Sequence, residues 1–301
     1  MVSYNPRSWW GLIFKFHKSD TFRQLLPAMA SIALFAGGVV YVDLELLPLA
    51  YLKGTTVLHS LLGLVISLLL VFRTNTAYER WWEGRRLWGA LVNSSRALAL
   101  KLNAFLPDDH ASRAEVAELL ALHAEVLKDH LRGKRPKHFV ATLQHGPNQV
   151  LSRLLEQVQR LYRGGELSGE QLLCLNGDLT AFCDIGGGCE RIQKTPIPYS
   201  YSLFLKKFIF AYVVSMPFCF AAEFHYGAVA LTVFIFYVLA SLELIAEEIE
   251  NPFGEDANDL PTEDIAKTIR NNVCEVLVWK RYPVATSCTG NRPGRACNQD
   301  Q

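Results

Sequence analysis

The stretch LLGLVISLLLVFRTNTAYERWWEGRRLWG, residues 61–89, decides how this chain is read. Residues 57–72 carry no formal charge and only His59, Ser60 and Ser67 as polar side chains. Directly after them come Arg73, Arg80, Arg85 and Arg86 with Trp81, Trp82 and Trp88, and no proline or glycine intervenes before Gly84. An apolar helix therefore continues unbroken into an aromatic and basic one. A buried helix of a water-soluble protein has no need of such an edge. A helix leaving a bilayer does, because tryptophan favours the headgroup layer and arginine anchors the cytoplasmic side.

Working outward, four apolar stretches stand out, at residues 25–47, 57–72, 208–224 and 226–242. A span takes about 20 apolar residues. The second and fourth are short taken alone, but the four fall in two close pairs and read as two membrane hairpins. Charge sets the expected orientation. Arg7, Lys15, Lys18 and Arg23 precede the first span, Arg73, Arg80, Arg85, Arg86 and Arg96 follow the second, and Lys206 with Lys207 precede the third. The turn between the first two spans has only Lys53, and the turn between the last two has no Lys or Arg. The positive-inside bias then places both termini, and everything from about Arg73 to Lys207, in the cytoplasm.

That central part reads as helices outside the membrane. From Ser112 to Arg132, Val116, Leu119, Leu120, His123, Val126, Leu127 and Leu131 recur at three- and four-residue spacing, the mark of one buried stripe. Residues 149–162 and 170–182 repeat the pattern, and the second of these opens on a capping residue, Ser168. No strand-like alternation persists anywhere. Thr195-Pro196-Ile197-Pro198-Tyr199 ends the preceding helix and marks re-entry into the bilayer. The last twenty or so residues, poor in apolar side chains, read as a mobile tail.

Composition excludes several classes. Half of the 301 residues are apolar and a fifth are charged, and the net charge of +1 offers no case for nucleic acid. Seven scattered cysteines without CxxC spacing argue against both a disulfide framework and a zinc site. No cleavable leader is evident. Neither HExxH nor GxSxG nor a Ser-His-Asp pattern appears, so no enzyme is expected. Gly186-Gly187-Gly188 lacks the strand and spacing of a phosphate loop, and Lys128, Arg132, Lys134, Arg135 and Lys137 form a basic patch that could touch anionic membrane lipid or simply be a solvated turn.

Two constellations carry chemistry. At 100° per residue Leu64, Leu68 and Phe72 share a narrow sector, to which Asn75, Glu79, Trp82 and Arg86 return. Several copies of such a stripe around an axis would make an apolar constriction followed by a polar vestibule; on spacing alone it could equally face lipid or the bundle. The second is acidic: Glu243, Glu247, Glu248, Glu250, Glu255, Asp256, Asp259, Glu263 and Asp264, with no Lys or Arg between them, surround Asn251-Pro252-Phe253-Gly254. Oxygen ligands around a glycine turn suit Ca2+, though the spacing is not that of an EF-hand. The same run could pair with the arginine-rich second helix.

With FRTNTAYERWWEGRRLWG after a second span, TPIPYSY before a third and ENPFGEDANDLP after a fourth, the chain resembles the bestrophin family, in its bacterial branch, from roughly Ser8 to Trp279. The resemblance implies an all-α homopentamer of four-span subunits around a central pore lined by the second helix, passing small inorganic ions across the bacterial inner membrane. Its hydrophobic neck falls on Leu64, Leu68 and Phe72, and Ile185 is the candidate for a second, cytoplasmic constriction. Animal members are calcium-activated anion channels. Here Asn251, Asp256 and Asp259 match clasp ligands, but Ala257 and Asn258 interrupt the acidic run, so no cofactor is required and Ca2+ gating is disfavoured. Asn75 and Glu79 stand where animal members carry hydroxyl residues. A carboxylate ring at Glu79 would focus cations, so sodium or potassium selectivity is expected, with an anion channel and a non-conducting scaffold as the alternatives. A secondary transporter would usually show inverted repeats, and none is visible. The expected divisions are a cytoplasmic segment over 1–24, a first hairpin over 25–74, a cytoplasmic helical domain over 75–205, a second hairpin over 206–246, an acidic loop and helix over 247–280, and a tail over 281–301.

Overall fold

The computed structural model describes residues 21–46, 56–134 and 145–279. The cytoplasmic segment expected before residue 21, the Lys53 turn, Arg135, Lys137 and the tail lie outside the described residues. Among the described residues there are eight α-helices and no strand. The helices are α1 (Thr21–Tyr41, continued by a π-helical turn Val42–Leu46), α2 (Thr56–Phe105), α3 (Ser112–Leu131), α4 (Gly146–Arg163), α5 (Gly169–Lys194), α6 (Tyr199–Phe224), α7 (Gly227–Glu250) and α8 (Thr262–Leu277).

Four of these, α1, α2, α6 and α7, are long and apolar enough to cross a membrane. The 50-residue α2 organises the rest. At 1.5 Å per residue it is about 75 Å long, more than twice the hydrocarbon thickness of a bilayer. Its apolar first half packs with α6 and α7, and its charged second half packs with α5 and α8. Two cores result. One lies among the spans: Ile66 and Leu70 of α2 meet Leu205, Ile209, Val213 and Met216 of α6 and Leu239 of α7. The other fills the helical domain, where Trp88, Leu98 and Leu102 of α2 are buried with Leu120 and Leu127 of α3, Leu154 of α4, Phe182 of α5 and Ile269 of α8.

Local signals act where elementary chemistry places them. Ser168 accepts a hydrogen bond from the Gln171 amide at 3.2 Å while the Gln171 side chain accepts from the Ser168 amide at 2.8 Å. This closed capping box starts α5. That helix then runs through Gly186-Gly187-Gly188 to Lys194, well beyond the expected end near 182, and stops at the TPIP segment. α7 gives way to an irregular loop, residues 251–261, that returns the chain to α8.

Candidate pore helix and its cytoplasmic junction

α2 has two faces. Ile66, Leu70, Arg73, Ala77, Gly84 and Trp88 are buried, spaced by the 3.6-residue period. On the other side Leu64 is 68% exposed, Leu68 54% and Phe72 56%, and Asn75, Glu79, Trp82 and Arg86 continue the exposed stripe. Among the described residues of one protomer, nothing covers the three apolar side chains. The stripe the helical wheel selected is thus an outward surface of α2, and its aliphatic, aromatic, amide and carboxylate members follow one another along the helix. Among the described residues no ion pair involves Glu79.

The arginines of α2 divide by face. Arg73, 1% exposed, donates from Nη2 to Glu250 Oε2 at 2.7 Å and lies 3.5 Å from a Glu243 oxygen. Glu250 Oε1 in turn accepts from the Ile197 amide at 2.7 Å. Arg80 donates to three carbonyls: Glu250 at 3.1 Å, Thr195 at 2.5 Å and Ile192 at 2.6 Å. Those carbonyls belong to the ends of α7 and α5, whose last C=O groups have no partner within the helix. Lys206 pairs with Glu247 at 2.8 Å, and the Tyr201 hydroxyl donates to the Leu69 carbonyl at 3.1 Å. Arg73 and Arg80 therefore hold the start of the third span and the end of the fourth against α2 at one level. Of the two readings open for the acidic run, its first part takes the pairing one. Glu243, buried, and Glu250, partly buried, are partners of α2, and spacing alone gave no sign that Arg80 would serve backbone carbonyls.

The loop after α7 docks on α2 through Gly84. A Cβ at that position would lie 3.1 Å from Pro252 Cγ and 3.2 Å from the Phe253 ring, so only a bare backbone lets Phe253 seat this closely. Trp81 donates from its indole N–H to the Asn258 carbonyl at 3.0 Å. Arg132 and Lys134, two of the basic patch, reach Glu255. That part of the patch serves the loop rather than lipid.

Asn251, Asp256 and Asp259 sit together on this one loop. Asp259 Oδ2 is taken by the Asp256 amide at 2.6 Å, while Oδ1 is buried without a partner among the described residues. Burial, with Asp256 and Glu248 nearby, pushes the Asp259 carboxyl up to about 6. Asp256 and Asn251 are exposed to solvent, and the cavity of about 390 Å³ beside Asp256 and Asp259 is also lined by Arg132 and Lys267. The carboxylates of Glu255, Glu263 and Asp264 line it as well, and calcium takes six to eight oxygens. Ile185, the expected second constriction, is 4% exposed and packs in the core of the helical domain with Phe182 and Cys189. The exposed apolar side chain of α5 is instead Leu173, at 76%, which the periodicity did not single out. Cys174, Cys183, Cys189, Cys219 and Cys274 form no disulfide.

The whole arrangement has known counterparts. Residues 1–275 match the family described as bacterial/fungal bestrophin protein. The voltage-dependent anion channel-forming protein sll1024 of Synechocystis is 32% identical over 296 residues, covering 91% of this chain and 94% of that one. The voltage-dependent anion channel-forming protein YneE of Escherichia coli K12 is 33% identical over 293 residues, covering 92% and 94%. Among solved structures, a point mutant of a bacterial bestrophin homologue from Klebsiella pneumoniae superposes with a TM-score of 0.79 at 26% identity, over 85% of this chain and 100% of that one. Four spans, a 50-residue second helix clamped to the third and fourth spans and a match across nearly the full length lead to one conclusion: this multi-pass membrane protein belongs to the bacterial/fungal bestrophin family of ion channels.

Proposed function

We propose that the chain assembles as a homopentamer in the bacterial inner membrane, both termini cytoplasmic, and passes small monovalent ions passively through a central pore lined by α2. The observation that carries this is the uncovered stripe of α2, apolar at Leu64, Leu68 and Phe72 and polar at Asn75 and Glu79. Rings of the first three would narrow and dewet the path, which then widens into a polar vestibule. Sodium or potassium is the favoured cargo. Glu79 is exposed, with no ion pair among the described residues, while Arg73 and Arg80 are committed to Glu250 and to backbone carbonyls. A ring of carboxylates then sets the sign of the local field.

A second reading, anion conduction, is favoured by the names of the relatives, which are called anion channel-forming. Exposed Arg85 and Arg86 on the same helix would serve it. Purified protein in a planar bilayer under an asymmetric salt gradient separates the two. A reversal potential near the cation's equilibrium value, moving toward that of chloride in Glu79→Gln, is the expected outcome. A wild-type potential already near that of chloride would assign selectivity to the arginines. Silence from folded protein would favour a non-conducting scaffold. No calcium dependence of the current is expected.

A further inference from the structure

Away from the pore helix, three side chains from three elements converge. His130 lies in the last turn of α3, His145 is the residue that caps α4, and Glu190 stands one turn before the end of α5. The His145 Nε2 atom is 2.5 Å from Glu190 Oε1, and the His130 Nε2 atom is 3.3 Å from that same oxygen. The two rings are 4.6 Å apart, and all three ligand atoms lie within 4.8 Å of one another. We propose that His130, His145 and Glu190 form a binding site for a divalent transition metal of the zinc class, with water in the fourth position.

The donor set favours this class. Zinc takes imidazole nitrogen and carboxylate oxygen at about 2.0–2.2 Å, in a tetrahedron whose edges are then about 3.3 Å. The observed separations bracket that edge, so small side-chain rotations would suffice. Both imidazoles aim at one carboxylate oxygen, whereas the other, Oε2, is held by Lys194 Nζ at 2.7 Å. Lys194 thereby orients Glu190 as an outer-shell partner does. All three residues are partly buried, sheltered from bulk water yet open to an ion and its remaining ligand.

His145 carries a built-in cost. Its Nδ1 accepts from the Asn148 amide at 3.3 Å, which leaves the ring proton on Nε2, facing Glu190. A metal at Nε2 requires the other neutral tautomer, in which the ring proton has moved from Nε2 to Nδ1 with no net release. The long cap bond is then given up, and the proton balance of binding reports on the state of both rings. The alternative role of the cluster is a hydrogen-bonded seam between α3, α4 and α5, with no affinity for metal.

The test uses the full chain in detergent, stripped with a chelator, and does not depend on conduction. Calorimetric titration with Zn2+ is expected to give about one ion per chain, and Mg2+ none, since magnesium prefers all-oxygen octahedral sites. Co2+ should give the visible d–d bands of a tetrahedral site. His130→Gln and His145→Asn, the latter keeping an acceptor able to cap α4, should each weaken binding at least about tenfold while leaving the metal-free melting temperature near wild type. X-ray absorption on the zinc-loaded wild type, which needs no variant, should report two imidazoles and no sulfur. Absence of saturable zinc binding, sulfur ligation, or binding undiminished in both variants would overturn the assignment.

Discussion

Arg73 is a buried charge where α2 meets the ends of the third and fourth spans. It is 1% exposed, and beyond Glu250 and the nearby Glu243 oxygen its Nε and Nη1 find no hydrogen-bond partner among the described residues. Taking charges from water costs several kcal/mol per ion even after relaxation, and removing one partner of a buried pair typically costs about 3–5 kcal/mol. Arg73→Met is therefore expected to lower the melting temperature of the detergent-solubilised protein sharply. Adding Glu250→Gln should recover part of the loss, because one of the two orphaned carboxylates, Glu250 and Glu243, is then neutral. His123 poses the opposite case, a titratable group kept neutral. It packs edge-on to Phe182 at 5.1 Å, and burial pushes its imidazole from the ordinary 6.5 down to about 4. Between those values the unfolded chain binds a proton that the folded one refuses. Stability is whole above about pH 6.5 and falls as pH drops toward 4, by on the order of 3 kcal/mol. His123→Leu should flatten that slope in chemical denaturation measured at pH 7 and pH 5.

At the scale of the element, α5 shows where local signals suffice and where they do not. Its start was legible, since Ser168 with Gln171 three residues on is a capping-box pattern, and the box is closed in the fold. Ser168→Ala should cost about 1 kcal/mol, read as a small fall in thermal midpoint with the channel otherwise intact. Its end was not legible. Three consecutive glycines oppose helix by roughly 1 kcal/mol each, and periodicity fades near Phe182. The helix nevertheless continues because it is packed against α2. A Cβ at Gly188 would lie 3.0 Å from both Leu87 methyl carbons, so the missing side chain is what lets the two helices approach. α2 teaches the same lesson in reverse. Its continuity from span to cytoplasm was plain from the absence of breakers, but the role of Gly84 as the seat of Phe253 was not, because that partner is remote in the chain.

For the whole molecule, a lone protomer leaves its spans largely uncovered: between 11% and 33% of each apolar window is buried. Lipid or further copies must cover the rest, since soluble surfaces do not carry apolar patches of that extent. On the proposed pentamer, Leu64, Leu68 and Phe72 face one another and Glu79 lies beyond them. Replacing all three neck residues with alanine should raise single-channel conductance while leaving the reversal potential near wild type, as recorded in bilayers. A reversal potential that moved with the neck would place selectivity there and not at Glu79. Native mass spectrometry of the same sample is expected to show a homopentamer.

Transfer free energy and helical period are properties of a short window. For that reason four spans, an all-helical part outside them, the α5 cap and the exposed stripe Leu64, Leu68, Phe72, Asn75 and Glu79 could all be read from the order of residues alone. Which surface a residue finally meets is a property of partners distant in the chain, and only the tertiary structure decides it. It buried Ile185 in the core, committed Arg73 and Arg80 to Glu250 and the ends of α5 and α7, and buried Asp259 beside a cavity lined by both carboxylates and cations. It also brought His130, His145 and Glu190 within reach of one ion, although no spacing in the sequence links them.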